Sequence, residues 1–132
     1  TLVRPTRQGV VFMPMLDVRI VGEPSGGAGP SLTRRLAEAA AEAIHATPGS
    51  VWLTVETVSV DDYAENSGGP QADSLPVYVK VSKLRVDGPD VLGPEAAALT
   101  SAVAAVVGRP EKCVRLFYQV LDRVAVGGKL VG

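Results

Sequence analysis

The sequence predicts a two-layer α+β fold: tandem βαβ units building a four-stranded sheet with two helices on one face. Three observations predict it. Four stretches alternate apolar and polar residues, and two amphipathic stretches of helical period lie between them, in the order β-α-β-loop-β-α-β. Prolines repeat one spacing: 34 residues separate Pro14 from Pro48 and Pro76 from Pro110, and each proline of the first pair lies 62 residues before its counterpart. A helix of about 15 residues between two strands is the right-handed crossover that makes those strands parallel partners, and two such units stack as layers with both helices on one side.

Residues 1–13 are read as an N-terminal arm. Pro5 and Gly9 punctuate it, and Val10-Val11-Phe12 is too short to be an element of its own. Residues 14–132 then form one domain of two repeats, 14–75 and 76–132. Met15 to Val21 alternates, with Leu16, Val18 and Ile20 on one side and Asp17 and Arg19 on the other. Pro14 heads that strand, a position where a proline need not donate to the ladder. After the turn-rich 22–29 segment, Ser31 offers an N-cap for a helix running to about His45, with Leu32, Leu36, Ala40, Ala43 and Ile44 as its inner stripe. Val51 to Ser59 is the second strand. A polar loop containing Tyr63, Asn66 and Gly68-Gly69-Pro70 leads to Pro76, which heads the third strand, Val77 to Lys83. Gly93-Pro94-Glu95 is read as the start of the second helix, with proline in its first turn; Leu99, Val103, Val106 and Val107 face inward and Gly108 ends it. Cys113 to Leu121 is the fourth strand, and Val124 to Val131, with Gly127-Gly128 inside it, closes as a short hairpin.

The two halves repeat in architecture more than in residues: the apolar faces of the first and third strands differ in phase by one position. With both helices on one side, the other sheet face carries Met15, Trp52, Arg115 and Phe117, and a face of that kind favours self-association.

Composition narrows the functional classes. The chain has 132 residues, a net charge of −1 and 13 basic residues spread along its length, so no basic block argues for nucleic acid. The apolar runs fall short of a membrane span, and the arm has no signal-peptide core. A single cysteine, Cys113, leaves no internal disulfide and fits a reducing compartment; the expectation is a cytoplasmic protein without membrane partners. One histidine and one cysteine argue against a zinc site, and no metal or cofactor is expected. Ser25-Gly26-Gly27 precedes a helix but lacks the lysine-serine ending of a phosphate loop.

A proline-headed βαβ unit, duplicated, with Pro110-x-x-x-Val114-Arg115 before the last long strand and Gly127-Gly128 near the end, resembles the tautomerase superfamily. Its short members, such as 4-oxalocrotonate tautomerase, are single βαβ units. Its fused members, among them malonate semialdehyde decarboxylase and the macrophage migration inhibitory factor group, carry two units and form trimers. The resemblance covers Met13 to Val131 and implies a homotrimer with a MIF-like fold. It also implies that Pro14 is the catalytic base and Arg115 the group that stabilises enolate charge. Lys83 and Arg85 sit where some members keep two arginines for a substrate carboxylate; the lysine offers a point charge in place of a bidentate fork. Trp52 takes the place of an arginine of the short members, and Trp52, Tyr63 and Asn66 would wall the pocket. No acidic residue corresponds to the water-activating group of hydrating members.

The implied activity is keto-enol proton transfer on a small carboxylate-bearing enol or dienol. It requires Pro14 to be a chain terminus. Bonded to Met13, its nitrogen is an amide with its lone pair delocalised, neither base nor nucleophile. Two readings therefore stand: an isomerase in which Pro14 is freed, or a catalytically silent homotrimer of the same fold, blocked by residues 1–13, that acts as scaffold or small-ligand binder.

Overall fold

The structure, a computed structural model, describes residues 14–84 and 88–131; the arm, residues 1–13, lies outside them. The elements are β1 (Met15–Val21), α1 (Pro30–Ala43), β2 (Trp52–Val58), β3 (Val77–Lys83), α2 (Pro89–Val107), β4 (Val114–Val120), β5 (Val124–Val126) and β6 (Lys129–Val131). The main sheet has the order β2-β1-β3-β4, and β5 and β6 make a separate two-stranded sheet. β1 is parallel to β2 and β3 to β4, as expected of two βαβ units. The units join through an antiparallel β1–β3 pair at the centre.

Register explains the phase difference between the halves. Leu16, Val18 and Ile20 of β1 stand opposite Val81, Val79 and Val77 of β3. Even-numbered residues of one strand thus share a face with odd-numbered residues of the other. The equal 62-residue spacing of the strand starts, 15 to 77 and 52 to 114, therefore does not carry side-chain direction from one half to the other. The shared face packs with Leu32, Leu36 and Ala40 of α1 and Leu99, Val103 and Val107 of α2 in one core. The opposite face carries Met15, Trp52, Arg115 and Phe117, as predicted, together with Asp17, Lys80 and Tyr78.

Two helix starts and one loop differ from the sequence reading. Gly29, not Ser31, is the N-cap of α1, and Pro30 takes the first helical position. α2 starts at Pro89 rather than at Gly93, so Pro94 lies inside it. Pro89 fits a first turn because its missing N–H needs no partner there, and Pro94, inside the helix, removes the one intrahelical bond its N–H would have made. The loop between β2 and β3 folds into three single 3₁₀ turns at Val60–Asp62, Asn66–Gly68 and Ala72–Ser74. The added length also makes α2, at 19 residues, long and apolar enough by composition to cross a membrane, unlike the apolar runs read in the sequence. Here its Leu99, Val103, Ala104 and Val107 are buried in the protein core.

Glycine is required at two places. Gly127 and Gly128, both with positive φ, make the two-residue turn of the β5–β6 hairpin. Gly108 caps α2 in the left-handed conformation, and a Cβ there would run into the Ser25 side chain. Gly108→Ala is expected to cost at least about 1–2 kcal/mol from the backbone alone, and Leu36→Ala about 2–5 kcal/mol from the cavity in the core. Urea unfolding followed by circular dichroism measures both; a midpoint unchanged from wild type in either variant would contradict the packing described.

Candidate active site

Pro14 is fully buried, and its carbonyl accepts the Trp52 N–H at 3.2 Å, fixing the head of β1 against the head of β2. One step beyond the Met15–Ser82 pair, the antiparallel register brings Lys83 opposite Pro14. The buried polar residues among those described, Ser50, Ser82 and Lys83, all cluster at this end of the sheet. At the other end the same register brings Val21, an apolar residue, to Pro76, whose carbonyl accepts the Val21 N–H at 3.1 Å. The two proline-headed ends are thus chemically unlike, and the buried polar residues among those described lie at the one with Pro14.

Lys83 ends β3 on the helix-facing side, in phase with Val77, Val79 and Val81, with a side chain only 4% exposed. Its ammonium donates to both carboxylate oxygens of Glu95 on α2, at 3.0 and 3.3 Å. The Tyr118 hydroxyl on β4 donates to the same carboxylate at 2.9 Å. Burial first, and then the bond to the Glu95 carboxylate, push the Tyr118 phenol well above its ordinary value. A lysine buried this far requires a carboxylate, because an unpaired ammonium away from water carries a large desolvation cost.

Arg115 heads the second cluster, on the open sheet face. Nη1 donates to the Tyr63 and Tyr78 hydroxyls at 3.2 and 3.1 Å, and Nη2 to Glu65 at 3.3 Å. Tyr78 donates to Tyr63 at 2.8 Å and Tyr63 to Glu65 at 2.7 Å. The guanidinium also lies 5.5 Å from the centre of the Tyr78 ring, which stacks on Phe117. The Tyr63 bond, followed by Arg115, holds the Glu65 carboxyl below its ordinary value. Arg115 is in turn raised, chiefly by its bond to Tyr63 and then by Glu65. Desolvation, aided by the bonds to Tyr78 and Glu65, pushes the Tyr63 phenol up to about 12.

The seven site residues read from the sequence thus divide. Pro14, Lys83 and Trp52 lie at one end of the sheet, Lys83 on its helix-facing side and Trp52 on the open face. Arg115 and Tyr63 form the cluster at the other, while Asn66 sits exposed on the second 3₁₀ turn of the loop that carries Tyr63. Arg115 pairs with Tyr78, and Tyr78 with Arg19, five residues along β1 from Pro14 or roughly 16 Å. A single chain does not bring Arg115 to Pro14. Arg85 lies outside the described residues. Sequence reasoning missed Glu95, Tyr118, Glu65 and Tyr78. A signal for the first existed: Lys83 shares the alternation of the buried valines, so an inward carboxylate was to be sought. Among the described residues no group of three or more His, Cys, Asp or Glu is placed to hold a metal.

The Tyr63 shift has a consequence for stability. A phenol that ionises at 10 when unfolded and about 12 when folded contributes stability fully present below pH 10 and lost as pH rises toward 12. Urea midpoints measured across that interval should fall more steeply for wild type than for Tyr63→Phe, which keeps only the like-signed contribution of Tyr118. Parallel curves for the two proteins would show that the cluster does not hold the Tyr63 proton.

No protein-family model matches the sequence, and no curated protein sequence matches it significantly. Solved structures do match. A fused 4-OT, described as a symmetric trimer, superposes with a TM-score of 0.69 at 21% identity, over 89% of this chain and 94% of that one. Pt0534, in a crystal structure inactivated by 2-oxo-3-pentynoate, matches with a TM-score of 0.67 at 16% identity, over 87% and 93%. Leishmania major MIF2 matches with a TM-score of 0.63 at 14% identity, over 91% and 98%. Two helices over a β2-β1-β3-β4 sheet, matched over nearly the whole of each chain, give this protein the tautomerase fold at the two-βαβ size of the fused 4-OT.

Proposed function

We propose that the protein is a tautomerase-like isomerase. It moves a proton between carbon and oxygen of a small carboxylate-bearing enol or dienol, with Pro14 as the base once Pro14 is the mature N-terminus. The observation that carries this reading is the pairing of Pro14, at the head of β1, with the buried Lys83–Glu95–Tyr118 group at one end of the sheet only. An α-amino group starts near ~8, and an apolar, cation-bearing pocket lowers it further, so a free Pro14 is unprotonated near neutral pH. Its nitrogen accepts the proton from the enol oxygen or the acidic carbon and returns it to the other position. Lys83 and Arg85 attract the substrate carboxylate, Trp52 walls the pocket, and Arg115 stabilises enolate charge from a neighbouring copy. That last role requires self-association. It is supported by the mixed open face, where Phe117 is 53% exposed, and by the trimeric fused 4-OT relative. A homotrimer is the assembly proposed.

A second reading is favoured by one observation, the Met13–Pro14 peptide bond in the sequence. While that bond stands, Pro14 cannot act as a base, and the protein is a catalytically silent trimeric scaffold or carboxylate binder.

Mass spectrometry of protein from its native source identifies the residue that begins the mature chain, and phenylenolpyruvate ketonisation measures the activity. The isomerase reading expects a chain beginning at Pro14, turnover that rises with pH as the amine loses its proton, and loss of at least about 100-fold in Pro14→Ala. Background rates from a native chain that retains Met13 would establish the silent reading instead. Light scattering should give three times the mass of whichever chain is measured, 13.7 kDa for the full 132 residues and less for one beginning at Pro14; a monomer would remove the proposed role of Arg115.

A further inference from the structure

Arg115 has a side chain that is 42% exposed on an open sheet face, yet three residues fix it. Tyr78 stands directly across from it on β3 and offers a hydroxyl at 3.1 Å and a ring centre 5.5 Å from the guanidinium. That ring is itself held by Phe117, stacked on it at 5.9 Å. The other two holds come from the β2–β3 loop. Tyr63 accepts from Nη1 at 3.2 Å and Glu65 from Nη2 at 3.3 Å, and a 2.7 Å bond joins these two acceptors to each other. They therefore sit side by side along the Nη1–Nη2 edge of the guanidinium. The loop is fixed where it bears them: the Ser59 hydroxyl accepts the Asp61 N–H at 3.2 Å, and the Glu65 N–H donates to the Gly69 carbonyl at 3.2 Å. A guanidinium carries five N–H donors in a rigid fork. Here the acceptors gather around Nη1 and the inner side of Nη2, and the Nε–H meets no partner among the described residues.

We propose that Tyr63, Tyr78 and Glu65 are positioning residues: they hold the Nη1–Nη2 edge of Arg115 and leave its Nε–Nη2 edge as the fork that meets developing enolate charge in a neighbouring copy. The proposal rests on the reading of Arg115 as a group that acts across copies and deepens it. The physical reason is geometric. An arginine on an exposed face samples many rotamers, and ordering it costs entropy when it is used. Held before the substrate arrives, the guanidinium stabilises charge without that reorganisation. A misplacement on the order of 1 Å costs a rate factor of about 100 in such sites. The competing role for Glu65 is charge alone. A carboxylate that merely offset Arg115 would weaken its attraction for an anion, so its removal would raise the rate. A carboxylate that positions Arg115 lowers the rate when removed. The two roles differ in sign.

The test is steady-state phenylenolpyruvate ketonisation by the mature chain found in the native source. It compares wild type with Tyr63→Phe, Glu65→Ala, Glu65→Gln, Arg115→Ala and the double variant Tyr63→Phe/Arg115→Ala. Circular dichroism and light scattering check the fold and assembly of each. Tyr63→Phe is expected to lower kcat about tenfold, the scale of coupling within one hydrogen-bond network, with KM within about twofold of wild type. In the Arg115→Ala background the same change should lower kcat by less than about twofold, because its effect passes through Arg115. Glu65→Ala should also lower kcat, and Glu65→Gln, which keeps an acceptor oxygen, should recover part of that loss. The sign in Glu65→Ala decides by itself if the Arg115→Ala rate falls below detection, and the Tyr63 pair decides if Glu65→Ala fails to fold. Losses that add in the double variant, or a rate that rises in Glu65→Ala, overturn the positioning role while the isomerase reading stands. An inactive wild type, or Arg115→Ala at the wild-type rate, removes the action of Arg115 itself, and the positioning role with it.

Discussion

The central antiparallel pairing of β1 with β3 is the constraint on which the rest of the molecule depends. It joins two βαβ units that would otherwise each expose an apolar strand edge, and its register sets which side chains face the helices. Leu16, Val18 and Ile20 fall opposite Val81, Val79 and Val77, so both halves contribute to one core beneath α1 and α2. A slip of one residue would turn every one of those valines to the open face and bring Tyr78, Lys80 and Ser82 inward. The pairing is therefore tightly specified even though the halves share few residues.

That same register builds the candidate site. Because β1 and β3 run in opposite directions, the head of β1 meets the tail of β3, and Pro14 faces Lys83. Lys83 is inward for the reason its valine neighbours are. Its charge is then met by Glu95 from the first turns of α2 and by Tyr118 through that carboxylate, on the parallel strand beyond. The early start of α2 at Pro89 matters here, since it places Glu95 within a formed helix rather than at a frayed end. A polar network held by three different elements is rigid in a way that a loop lysine would not be.

The open face is organised differently. Arg115, Tyr63, Tyr78 and Glu65 form a half-exposed network in which every member holds another. Its residues come from β3, β4 and the β2–β3 loop, and the loop supplies Tyr63 and Glu65 because its first 3₁₀ turn brings them back over the sheet. The exposed Phe117 beside it and the Arg19–Glu56 ion pair at 3.2 Å give this face the mixed character expected of a contact surface between copies.

Read alone, the sequence determined the element order, the two parallel pairs, the inward stripes of each strand and the heads of the strands at Pro14 and Pro76. Those properties are local: alternation, helical period and turn residues report them within a few positions of where they occur. The burial of Lys83 was not read from the sequence, although that residue continues the alternation of Val77, Val79 and Val81. The tertiary structure alone decided how the two units join, that equal spacing does not mean equal side-chain direction, and that Pro14 and Arg115 stand at opposite ends of one chain. It decided, too, which carboxylate answers each cation. Glu95 and Glu65 are 12 and 50 residues from their partners, and no local pattern links them. Only the packing of α2 over β3, and of a loop over the open face, brings those charges within hydrogen-bonding distance.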